Sequence, residues 1–139
     1  MTAPAVFPYR AVQPQHAGPA LLPLLPVRLA RGVTALADLA LVDSGSTVNV
    51  LPLDLGRRLG LDWAAHQITI QLGGNLANHP AKAVVLDVTV AGFPLVRLAF
   101  AWSSHPDARL ILGQTNFFGE FDICFFRSRG EFHVQPRTP

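Results

Sequence analysis

The sequence predicts an all-β domain: a closed or partly closed barrel of short strands with one or two short helices. Three observations carry this expectation. Val, Leu, Ile and Phe are abundant among the apolar residues, and Gly and Pro cut them into short runs. Half of the residues are hydrophobic and only 14% are charged, which favours a buried core over disorder. No stretch with a helical period extends beyond about a dozen residues. A chain of 139 residues is long enough for one domain and its core, but short for two. The expected division is a proline-rich N-terminal arm over 1–20 and a single folded domain over 21–139.

Pro4, Pro8, Pro14 and Pro19 punctuate the arm, which reads as extended or mobile, with Phe7 and Tyr9 available to tack it onto the body. Strands follow at 24–31 and 34–42, joined at Gly32. The second has aliphatic residues on both faces, as a central strand does, and runs directly into Asp43-Ser44-Gly45-Ser46. Pro52 at a first helical position, Arg57 and Arg58 near the end and Gly60 just beyond define one short helix. Strands are expected at 67–72, 81–91, 94–102 and 109–112. Gly73-Gly74-Asn75 breaks the first two, and Ala91-Gly92 folds the next pair into a hairpin. Gly113-Gln114-Thr115-Asn116 opens a second short helix through Phe117 and Phe118. A strand over 121–126, a turn at Ser128-Arg129-Gly130 and a strand over 131–135 complete the order.

Several function classes are set aside on composition. The formal charge is only +2 and the basic residues are scattered, without the dense basic and aromatic stripe of a nucleic-acid binder. The apolar run from Leu21 to Val27 contains Pro23 and Pro26 and is far too short to span a bilayer. A single cysteine, Cys124, has no internal disulfide partner, in keeping with a reducing cytoplasm. The expectation is a soluble cytoplasmic protein with no nucleic-acid or membrane partner. His16, His66, His79, His105 and His133 fit no close metal-ligand spacing, so neither a metal nor another cofactor is expected. His79 lies near Gly73-Gly74-Asn75, where contact with a ligand is the alternative, and reads as a solvent-facing loop residue. Trp63 and Trp102 read as caps on the core, and Phe117, Phe118, Phe121, Phe125 and Phe126 as core and dimer interface. Gly73-Gly74 lacks the strand–loop–helix context of a phosphate site, and Ser44 and Ser46 lack the Gly-x-Ser-x-Gly elbow of a serine hydrolase.

The strongest chemical signal is Leu41-Val42-Asp43-Ser44-Gly45-Ser46, an apolar strand that ends in Asp-Ser-Gly-Ser. Alone it describes a turn, because Asp, Ser and Gly are common turn formers. Leu110-Ile111-Leu112-Gly113 adds a second apolar strand broken by Gly just before a helix. Together, in this order and over about 24–135, these elements resemble the retropepsin-type aspartic proteases. The wording from Val48 to Pro52 and from Gly113 to Phe118 looks closest to small bacterial members of that group.

The resemblance implies a retropepsin-like closed barrel and peptide hydrolysis with Asp43 as the catalytic carboxylate. That chemistry requires two carboxylates sharing one proton around a water, one acting as base and the other as acid. This chain has a single Asp-Ser-Gly, and Asp87, Asp107 and Asp122 lack its flanking pattern. The dyad therefore requires a homodimer that brings two copies of Asp43 across a two-fold axis. Ser44 is expected to reach the opposite loop, Gly45 to allow close backbone approach, and Ser46 to hydrogen-bond the Asp43 carboxylate. Gly73, Gly74 and Asn75 fall where a flap belongs. They, with Ile111 and Gly113, are expected to meet an extended peptide substrate.

The arm and the 131–135 strand are candidates for a dimer-interface sheet. Thr47 and Gln114 stand where retropepsins often carry an Asp and an Arg that pair; replacing both is nearly neutral, whereas losing one would strand a charge. Two rivals remain open. One is a non-catalytic retropepsin-fold module for dimerisation or peptide binding. The other is a monomeric barrel that binds a small ligand, with Asp43 as a turn former.

Overall fold

The computed structural model describes residues 3–13, 20–66, 69–73 and 79–138. In chain order the elements are β1 (Ala5–Pro8), β2 (Arg10–Val12), β3 (Ala20–Leu22), β4 (Leu24–Arg31), β5 (Thr34–Val42), β6 (Asn49–Pro52) and α1 (Leu53–Arg58). They continue as β7 (Thr69–Ile70), β8 (Ala81–Val90), β9 (Val96–Ser103), β10 (Ile111–Leu112), α2 (Phe117–Glu120), β11 (Phe121–Phe126) and β12 (Glu131–Pro136). The main sheet runs β4-β5-β10-β6-β9-β8, and a β4–β8 pairing closes it into a six-stranded barrel, with β7 attached to β8.

Side-chain alternation explains the barrel. Leu25, Val27 and Leu29 of β4 are buried while Pro26 and Arg28 between them are exposed, the period of two that a pleated strand imposes. Val84, Leu86 and Val88 of β8 do the same, and with Leu98, Phe100 and Leu112 they fill the interior. Gly32, at φ 60°, turns β4 into β5. The expected hairpin at Ala91-Gly92 joins β8 to β9, with Phe93 N–H donating to Val90 O at 3.1 Å.

Pro52 occupies the N-cap of α1 rather than its first turn, and Gly60, at φ 84°, follows its end. The helix lies against Trp102, which is fully buried and donates from Nε1 to Leu53 O at 3.1 Å. Trp63 is half-buried and meets Trp102 edge-on at 5.1 Å.

The ends of the chain form a second sheet in the order β1-β12-β11. Phe7 stacks on Phe132 at 5.6 Å and Tyr9 meets the same ring edge-on at 5.9 Å, so these two residues anchor the proline-rich segment. Phe117 and Phe121 enter the core, whereas Phe125 is exposed on β11. Beyond the core, a hydrogen bond with His133 at 2.9 Å, helped by Arg129, holds the Glu131 carboxyl below its ordinary value of 4.5.

Three expectations need correction. β5 is a central strand only at Leu41 and Val42; before that it pairs with β4 alone, and Ala35, Ala37 and Leu39 are exposed. The strand expected at 109–112 is reduced to Ile111–Leu112, because the preceding loop turns at His105–Ala108. The second helix is a single turn that begins only at Phe117, since the backbone of 113–115 is engaged with the loop after β5. Among the described residues no helix is long and apolar enough to cross a membrane.

Candidate active site

β5 and β10 run parallel, with Leu41 opposite Ile111 and Val42 opposite Leu112, while β6 flanks β10 antiparallel with Val50 opposite Ile111. Parallel strands leave a sheet at the same end, so the segment after β5 and the segment after β10 meet there. Gln114 N to Ser46 O (2.8 Å) and Thr115 N to Thr47 O (2.9 Å) join these segments, and Leu41 N to Leu110 O (2.9 Å) and Asp43 N to Leu112 O (3.0 Å) join the stretches of chain leading into them.

Asp43 is half-buried at this junction. Its Oδ1 accepts the Gly45 N–H at 2.9 Å, and its carbonyl accepts the Ser46 N–H at 3.1 Å. Among the described residues no other hydrogen bond reaches the carboxylate, so the second oxygen is left to the cleft. The turn-forming and the acid–base readings of Asp43 are therefore compatible. A Cβ on Gly45 would lie 3.2 Å from Oδ1, tight against the carboxylate.

Ser46 departs from expectation. Its hydroxyl donates to Val48 O at 2.7 Å instead of to Asp43, because a carbonyl two residues on lies within the short reach of a serine side chain. Ser44 is exposed, and its carbonyl accepts the Gln114 side-chain Nε2–H at 2.8 Å.

Asn49 is the residue that sequence reading missed. It is completely buried, and its Oδ1 accepts the Gly113 N–H at 2.7 Å. Its Nδ2 donates to Ala99 O at 2.9 Å and to Asn116 Oδ1 at 3.3 Å, and Asn116 Oδ1 also takes the Ala99 N–H at 3.2 Å. One buried amide thus ties β6, β9 and the segment after β10 together. Gly113 sits behind the cleft rather than in it: a Cβ there would fall on Val48 O and lie 2.7 Å from Ser46 O.

The cleft holds roughly 410 Å³. It is lined by Asp43, Gly45, Ser46 and Thr47, by Val48, Val50 and Ile111, and by Leu72 with Gly73. Leu72 is fixed by a small apolar cluster with Ala81, Ala101, Val48 and Ile70. Asp43, Gly45, Ser46, Gly73 and Ile111 are thus brought together. Gly74 and Asn75 lie outside the described residues. Val48, Val50 and Leu72 also line the cleft; Val48 and Val50 lie in the apolar run after the Asp-Ser-Gly loop and Leu72 just before Gly73-Gly74, with nothing local to mark them as lining residues. His79 corrects another expectation: it is half-buried, with its ring 4.3 Å from that of His105. Among the described residues no three metal-ligating side chains converge.

No protein-family model matches the chain, and no curated protein matches it in sequence. Among solved structures it is similar to the crystal structure of a retropepsin-like aspartic protease from Rickettsia conorii. The TM-score is 0.65 at 12% identity, over 96% of this chain and 99% of that one. At such identity the likeness is one of fold. A six-stranded closed barrel with two short helices, matched over nearly its whole length, is a retropepsin-like fold.

Proposed function

We propose that the protein is an aspartic endopeptidase that acts as a homodimer, with Asp43 from each chain forming one shared dyad. The observation that supports this best is the setting of Asp43. Asp43 lines a cleft together with Val48, Val50, Ile111 and Leu72, just beyond the end of the parallel β5–β10 pair, in a fold shared with a retropepsin-like aspartic protease.

The chemistry follows from two carboxylates that share one proton. The ionised Asp43 takes a proton from a water held between them as the water oxygen bonds to the substrate carbonyl carbon. The protonated Asp43 of the other copy gives its proton to the carbonyl oxygen. As the tetrahedral diol collapses, one of its hydroxyls returns a proton to the ionised carboxylate while the C–N bond breaks and the amine takes the proton of the other carboxylate, which leaves one proton on the dyad again. Like charges a few ångströms apart cannot both ionise cheaply, which is why one proton stays with the pair. The Gly45 N–H fixes one oxygen of each carboxylate and leaves the other for water. With one Asp-Ser-Gly per chain, a lone copy has half of the machinery.

The substrate on this reading is an extended peptide whose apolar side chains meet Val48, Val50, Ile111 and Leu72. Residues 21–139 carry the catalytic domain and 1–20 serve as the arm. Cys124, free and exposed, suits a reducing compartment such as the cytoplasm.

The test compares wild type with Asp43→Asn on an unstructured protein such as casein, from about pH 4 to about pH 7, where shared-proton dyads work. Sedimentation of the same samples reports the dimer. Cleavage by wild type that vanishes in a still-dimeric Asp43→Asn supports the proposal. A stable wild-type dimer that cuts no peptide favours a binding module. A monomer returns Asp43 to a turn role.

A further inference from the structure

We infer that Gln114 is a positioning residue, an uncharged latch that sets the Asp43 carboxylate by gripping the Ser44–Gly45 peptide unit. This rests on the proteolytic reading above and concerns the same site. The peptide unit between Ser44 and Gly45 is held at both ends. Its carbonyl accepts the Gln114 Nε2–H at 2.8 Å, and its N–H donates to Asp43 Oδ1 at 2.9 Å. The two bonds lie on opposite edges of one rigid plane, so rotating the carbonyl away from Gln114 also rotates the N–H away from Asp43. Bonds in such a chain polarise one another, so the grip at one end strengthens the donor at the other.

Gln114 is itself anchored. Its backbone N–H donates to Ser46 O at 2.8 Å, and the preceding Gly113 N–H is held by buried Asn49 at 2.7 Å. Ser44 O can only accept, which fixes the carboxamide with its nitrogen toward the loop. Thr47 and Gln114 carry no ionisable group, so the latch keeps its strength across the acid range in which a shared-proton dyad operates.

The test uses Gln114→Glu, which keeps the shape and makes donation depend on pH. As a carboxylate it cannot donate to Ser44 O; once protonated, its hydroxyl can. Relative to wild type, peptide cleavage by Gln114→Glu falls about three- to tenfold near neutrality, the size expected for one exposed hydrogen bond. It recovers toward the wild-type rate as pH drops through the carboxylate range. Gln114→Ala stays low at every pH. A Gln114→Glu to wild-type ratio that does not change with pH, or a Gln114→Ala variant at the wild-type rate, overturns the latch. Amide protection of Gly45, measured by NMR with Gly113 as the folding control, separates this from the proteolytic reading. If wild type cuts nothing, proteolysis fails. The latch still stands if Gln114→Ala lowers Gly45 protection alone, and falls if that protection is unchanged.

Discussion

A buried carboxamide is harmless while every partner is present, and expensive once a partner is orphaned. Asn49 is completely buried and bonded to Gly113 N–H, Ala99 O and Asn116. Asn49→Ala leaves the Gly113 N–H and the Ala99 carbonyl without these partners, and each unsatisfied group costs about 1–3 kcal/mol. The expected loss is about 2–6 kcal/mol, read as a lower urea midpoint with an unchanged slope. A midpoint like that of wild type would mean the network carries no weight. Asn49 was visible in the sequence as a polar interruption in Val48-Asn49-Val50-Leu51, but its partner Gly113 is 64 positions away and left no local mark. Asp43 was legible because strand, Asp, Ser and Gly are consecutive. Ser46 was misassigned because a hydroxyl chooses among acceptors by distance, and sequence does not reveal that Val48 O is within reach.

Elements with a strong local pattern were legible, and those made by tertiary pairing were not. β4 was found at its observed bounds because buried and exposed residues alternate over 25–29 and Gly32 ends it. β10 has only two residues and owes its extended form to β5 and β6 on either side. In α1, two effects of opposite sign meet at Gly56. On helix propensity alone, Gly56→Ala would stabilise by about 1 kcal/mol. A Cβ there, however, falls on the Trp102 ring, with Cζ2 at 2.8 Å, and that indole is fully buried and bonded to Leu53 O. Overpacking a filled core costs about 1–3 kcal/mol, so the clash wins or at least cancels the gain. Thermal unfolding of Gly56→Ala is expected at or below the wild-type midpoint, with Trp102 emission altered. A higher midpoint with unchanged emission would show that α1 can shift off the indole at little cost.

At the scale of the whole molecule, the proposed dyad makes activity a property of two chains. Diluting the protein below its dimer dissociation constant should lower the rate per chain in proportion to concentration, so that total rate falls with the square. A rate per chain that is constant on dilution through a sedimentation-verified monomer would contradict the shared dyad. The parallel β5–β10 pair has a further consequence, for folding. Ser44 and Gln114 stand 70 positions apart, and the strands that lead to them become neighbours only when β10 inserts between β5 and β6. Closing a flexible loop of that length costs about 4 kcal/mol of chain entropy beyond the constant term. Non-local pairing of this kind places a fold among the slower two-state folders. The cleft around Asp43 is therefore assembled by long-range contacts rather than by any local segment. A nascent chain carries the Asp-Ser-Gly wording well before it has the geometry, and under the proposed function that delay keeps an unfinished chain inert.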